Sequence, residues 1–137
     1  MRTVFADAFY WIALINPGDD WHLQARQVGL SLYPCTLITT EEVLIETVNF
    51  YSSKGTEKRQ RVLNTLQGIL TNPSMQVIPQ THASFQAGVE LFQARLDKGY
   101  SLTDCISMQT MRQLGITEVL THDKHFTQEG FVILLVD

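Results

Sequence analysis

Short apolar runs alternate along the chain with longer segments of helical periodicity. The runs TVFA (3–6), CTLIT (35–39), QVIP (76–79), EVLT (118–121) and FVILLV (131–136) have strand length and no polar side, as expected of strands covered on both faces. In the segments 20–32, 41–53, 57–71, 81–98 and 103–114, apolar positions instead recur at three- and four-residue spacing. Turn-forming stretches punctuate the pattern. NPGDD (16–20) precedes one predicted helix, TNPS (71–74) follows another, and Gly99 and Gly115 stand near expected helix C-termini. This alternation predicts an α/β fold: a three-layer α/β/α sandwich around a central, mainly parallel sheet of four or five strands.

Composition narrows the picture. A chain of 137 residues, 45% of them hydrophobic, suffices for one sizeable core and is short for two, so a single domain over 1–137 is expected. The N-terminus lacks the apolar core of a signal peptide, and no apolar run approaches the roughly 18 residues of a membrane span. A soluble, cytoplasmic protein without membrane contact is the expectation. Cys35 and Cys105 show no metal-ligand spacing and read as buried free thiols.

The polar residues acquire meaning from the predicted sheet, because ligands of such sheets sit outside the carboxyl ends of the strands. Asp7 directly follows TVFA, and Asp123 comes two residues after EVLT. Either one alone also reads as a turn or N-cap residue. Thr39 and Glu42 have capping-box spacing, which gives Glu42 a structural task. Glu46, one turn later, borders a face of Val43, Thr47, Phe50 and Tyr51 that should meet the sheet; it is either a solvated rim residue or leans over the sheet edge. Ser101 and Asp104 also have capping-box spacing. In the first helical turn Asp104 should be kept ionised by the positive end of the helix. His122 and His125 flank Asp123 without an HxxxH partner, and read as residues of a surface turn that Phe126 anchors to the core. The His122-Asp123 pair exits a strand, which argues against the all-helical HD-type phosphohydrolases.

Four carboxylates converging on one edge repel one another and call for compensating positive charge. All-oxygen donors suit Mg²⁺ or Mn²⁺, and the chemistry such a cation favours is hydrolysis of a phosphodiester. The net charge of −4 excludes a general affinity for nucleic acid, so any such contact is local. One basic run, KGTEKRQR, carries Lys54, Lys58, Arg59 and Arg61; it is a solvated helix face or a phosphate-contacting patch.

These pieces together resemble the PIN-domain ribonucleases, and among them the VapC-type toxins of toxin-antitoxin pairs. VFADAFYWIALINPGDDWHLQA is similar to the family's opening strand, first acid, short apolar helix and D-x-H-x-x-A helix start. TTEEVLIETVNFY is similar to the second strand exit and the helix bearing a glutamate, SLTDCISM to an S-x-x-D helix start, and VLTHDKHF to a T-x-D-x-x-F strand exit. The resemblance implies a metal-dependent endoribonuclease. Asp7 and Asp104 would be its main Mg²⁺ or Mn²⁺ ligands, Glu46 and Asp123 would complete the catalytic pocket, and Thr121 would orient it. It further implies an RNA substrate, a small antitoxin laid across the acidic groove, and a homodimer. The chain departs from the pattern at Ala8 and Phe9, where the family commonly has small hydroxyl or polar residues. The alternative is a catalytically weak or inactive PIN-fold module that binds RNA or protein; Ala8 favours it, and the complete set of four acids opposes it.

Overall fold

A computed structural model describes residues 1–137. Five strands form the sheet: β1 (Arg2–Ala6), β2 (Cys35–Thr40), β3 (Met75–Ile78), β4 (Glu118–Leu120) and β5 (Val132–Ile133). All neighbours pair in parallel, in the order β3-β2-β1-β4-β5. Seven helices fill the connections: α1 (Ala8–Ile15), α2 (His22–Ser31), α3 (Glu41–Tyr51), α4 (Thr56–Thr71), α5 (His82–Ala94), α6 (Leu102–Leu114) and the single turn α7 (His125–Gln128). The expected three-layer α/β/α sandwich is therefore present.

Strand order follows from connection handedness. The crossovers β1 to β2 and β2 to β3 step one way across the sheet, and β3 to β4 steps back past β1. Right-handed connections consequently separate α1–α4 from α5–α7 on opposite faces. Contacts agree, since α1, α3 and α4 pack on one another and α5 packs on α6. Val4, Phe5, Ala6, Val119 and Leu120 are fully buried between the layers, as both-sided strands require. The direction of strand stepping reverses beside β1, leaving a crevice at its carboxyl end.

Several boundaries differ from the sequence pattern for local reasons. β2 continues through Thr40, so Thr40 and not Thr39 caps α3: its side chain accepts the Val43 N–H at 3.1 Å. The Thr39 hydroxyl instead donates to the Ala6 carbonyl inside the sheet at 2.8 Å, and the expected Thr39–Glu42 box does not form. α5 stops at Ala94, and Gly99 lies in the following loop, whereas Gly115 ends α6 in the left-handed conformation with φ 68°. The pattern 131–136 is a regular strand only over Val132–Ile133, although the Leu134 and Leu135 N–H groups still donate to the Val119 and Thr121 carbonyls. Phe50 projects to the surface instead of the sheet, and Cys35 is only half-buried, although both cysteines are free. No helix is long and apolar enough to cross a membrane.

Candidate active site

The crevice beside β1 is an open cleft of about 590 Å³ lined by Asp7, Glu46, Asp104 and Asp123 together with Ala8, Phe9, Ile12, Asn49, Phe50 and Ser101. All four acids singled out from the sequence meet there, although they come from four separate parts of the chain. Smaller apolar hollows elsewhere, between α3 and α4, contain no such grouping.

Each carboxylate is placed by its own local device. Asp7 sits at the junction of β1 and α1, where its carbonyl accepts the Tyr10 and Trp11 N–H groups. Its carboxylate makes no capping hydrogen bond and is left free for the cleft. Thr121 holds it instead: the Thr121 hydroxyl donates to Asp7 Oδ2 at 2.9 Å and accepts the Asp123 N–H at 3.2 Å. One fully buried hydroxyl thus joins the ends of β1 and β4. Asp104 belongs to a reciprocal capping box, with the Ser101 hydroxyl accepting the Asp104 N–H and Asp104 Oδ2 accepting the Ser101 N–H. The other carboxylate oxygen remains available, so the capping role and a site role are compatible. Glu46 lines the cleft from α3, which decides between rim and sheet-edge positions in favour of the latter.

Burial and mutual repulsion act in one direction on these groups. Asp7 is almost fully buried, and that burial, with the Asp104 and Glu46 charges added, pushes its carboxyl up to about 7 against the hydrogen bonds from Thr121 and the Ala8 N–H. Glu46 is raised by burial and by Asp104 and Asp123. Asp104 is also raised, chiefly by burial, despite its place at a helix N-terminus; the bonds with Ser101 and the nearby His125 offset only part. Burial therefore outweighs these stabilising contacts in setting the direction of the Asp104 shift. Bringing a divalent cation among these groups would reverse the imbalance, and hard oxygen donors in an open cleft suit Mg²⁺ or Mn²⁺.

One member was not legible in the sequence. Donor atoms of Asp104, Asp123 and His125 lie within 4.8 Å of one another. The lack of an HxxxH pair made His125 read as a turn residue, yet its neighbours in space are carboxylates, and the D-x-H spacing at Asp123 was the available signal. His122 is indeed peripheral to the acids: its Nδ1–H donates to the Leu135 carbonyl at 2.8 Å, and its ring packs on Trp21. Phe126 is fully buried, as expected of the anchor of this turn.

The basic run does not behave as one patch. Arg61 pairs with Glu57 and donates to the Ile15 carbonyl, and Arg59 donates to the Ser52 carbonyl. Lys54 instead lies over the ring of Phe50, at the rim of the cleft.

A parallel five-stranded sheet with acids gathered at the carboxyl end of β1 is the arrangement of a PIN domain, and the chain belongs to that family, matching its model over residues 4–131. It is 27% identical, over 129 residues, to the 23S rRNA-specific endonuclease VapC20 of Mycobacterium tuberculosis, a match covering 94% of this chain and 95% of that protein. The crystal structure of Mycobacterium tuberculosis VapC20, a Sarcin-Ricin loop cleaving toxin, is similar with a TM-score of 0.85 and 26% identity, over 94% of this chain and 96% of that one. The fold is shared as well with VapBC2 from Rickettsia felis bound to a DNA fragment from their promoter, at a TM-score of 0.69 and 15% identity, over 97% and 98% of the two chains.

Proposed function

We propose that the protein is a Mg²⁺- or Mn²⁺-dependent endoribonuclease and the toxin of a type II toxin-antitoxin pair. The observation that carries this reading is the convergence of Asp7, Glu46, Asp104 and Asp123 on one open cleft at the strand-order reversal. Similarity along nearly the whole chain to an rRNA-specific endonuclease supports RNA as the substrate.

Asp7 and Asp104 are the residues proposed to hold the cation, with Glu46 and Asp123 completing the pocket. When bound, the cation supplies charge stabilisation at the phosphoryl group and makes the attacking water more acidic. Thr121 keeps the Asp7 carboxylate turned into the cleft, and the Ser101 cap fixes Asp104. A carboxylate of the cleft takes the proton released by the attacking water, which the raised affinities of these groups for protons favour.

Two surfaces support partners. The groove between α3 and α4, with Ile45, Val48, Leu63 and Leu70 on its walls, suits an apolar helix of a small antitoxin whose following segment could reach the acidic cleft. Phe85, Val89 and Phe92 form an exposed apolar stripe on α5 that supports a homodimer.

Induction of the wild-type chain against Asp104→Asn, with cellular RNA mapped for new ends, tests the function. New ends and growth arrest with wild type alone are expected. If the two chains behave alike, and purified protein with Mg²⁺ or Mn²⁺ cuts no RNA, the nuclease reading fails. Retained RNA binding would then identify a non-cutting PIN module.

A further inference from the structure

His125 stands outside the four acids, yet its side chain is built into their cluster. Asp123 Oδ1 accepts the His125 N–H at 2.9 Å, starting α7 and turning the imidazole back towards Asp104 and Asp123. The imidazole Nδ1 lies 3.1 Å from Asp123 Oδ1. It is nevertheless shut off from solvent and makes no hydrogen bond, because the contact is not aligned for one. A buried ring nitrogen left unpaired beside a carboxylate oxygen is unfavourable unless a third group satisfies it.

A cation does so with the spacing observed. Two donors at adjacent corners of an octahedral ion, each bonded at about 2.1 Å, lie about 3 Å apart. The ring itself is seated firmly. Gly99 leaves room for it, since a Cβ there would stand 3.2 Å from Nε2, and Tyr100 packs edge-on against it at 5.4 Å between ring centroids. Tyr100 is anchored in turn by a 2.9 Å hydrogen bond to Glu129 Oε2.

We infer that His125, beside Asp123, is a direct nitrogen ligand of the cation that Asp7 and Asp104 are proposed to hold, and that this mixed carboxylate–imidazole site selects Mn²⁺ over Mg²⁺. The inference rests on the metal-dependent reading above and adds to it a ligand and a preference. Imidazole suits borderline transition ions, whereas Mg²⁺ favours oxygen donors and retains its waters.

The test is binding of Mn²⁺ and of Mg²⁺ to the purified full chain by calorimetry, with pulsed electron paramagnetic resonance of the Mn²⁺-loaded protein. Wild type, His125→Ala and His125→Gln are compared, and metal-free melting temperatures show that each variant folds. The expected result is ¹⁴N modulation of the Mn²⁺ signal in wild type, absent in both variants, with Mn²⁺ affinity lowered at least about tenfold and Mg²⁺ affinity changed by much less. Folded variants that bind Mn²⁺ as tightly as wild type, or a wild type whose Mn²⁺ shows no ¹⁴N coupling, overturn the inference and leave the metal-dependent reading standing. A wild type that binds neither ion overturns both.

Discussion

Asp7 shows how a single residue can be unfavourable for the fold and useful to the site. In an unfolded chain its carboxyl releases a proton near 3.8, whereas burial and the neighbouring acids bring it to about 7 in the folded protein. Between those values the folded state holds more protons than the unfolded state, so the stability of the metal-free protein falls as pH rises from about 4 to about 7. Thermal unfolding in chelator across that window should show this decline. In Asp7→Asn the decline should be shallower, and at pH 7.5 the metal-free variant should melt above wild type, while Mn²⁺ raises the wild-type melting temperature more than that of the variant. Equal pH slopes in the two proteins would remove Asp7 as the source. Its candidacy was visible in the sequence because it follows an apolar strand directly, but its bond to Thr121 links positions 114 residues apart and no local pattern encodes it. The same limit hid His125, whose significance depends on Asp104, which the fold brings to the local Asp123–His125 pair.

The elements behind the cleft are held by contacts that periodicity alone does not disclose. α5 and α6 approach closely at Gly88, where a Cβ would lie 3.2 Å and 3.3 Å from the backbone N and Cα of Ile106, and nearer still to its side chain. Gly88→Ala must therefore push the helices apart and is expected to cost about 2 kcal/mol despite the better helix propensity of alanine, as measured by urea unfolding. A gain in stability would show that the pair yields freely. A second tie joins the same layer: Glu129, after α7, receives hydrogen bonds from Arg95, Arg112 and Tyr100, and its side chain is only 4% exposed. Burial pushes its carboxyl up, but the three donors outweigh that and bring it down to about 2. Its contribution is fully present above about 4.5 and is lost as pH falls towards 2, the opposite sign to Asp7. Glu129→Gln should cost about 2 kcal/mol at pH 7, less than a fully buried pair because both arginines stay partly in water, and should flatten the acid limb of the stability profile. An unchanged limb would assign acid sensitivity elsewhere. Helix and strand positions were readable here because the apolar period changes from one kind to the other; their ends were not, since β2 runs on to Thr40 and moves the cap with it.

At the scale of the whole molecule, alternation of strands and helices was sufficient to imply a covered parallel sheet, and the rule placing ligands at strand carboxyl ends then selected the acids. What the pattern did not contain was strand order, which brings β1 beside β4 and so Asp7 beside Thr121 and Asp123. The resulting molecule carries a net charge of −4 and gathers four acids at the surface proposed to receive a polyanion. Attraction for RNA must then come from a few cations near the cleft, because general charge is repulsive. In the basic run, Arg61 is engaged by Glu57, Arg59 is turned to the Ser52 carbonyl, and Lys54 stands beside the cleft over Phe50. Lys54 is the cation we propose to meet a phosphate. Lys54→Gln should weaken RNA binding and lower the slope of log affinity against log salt by about 0.7 to 0.9, the release of one counterion, while Arg61→Gln leaves the slope unchanged. Binding is best measured with Asp104→Asn protein, so that the RNA survives the titration. Should Lys54→Gln keep the wild-type slope, the phosphate contact belongs to another cation and Lys54 only shields the aromatic rim.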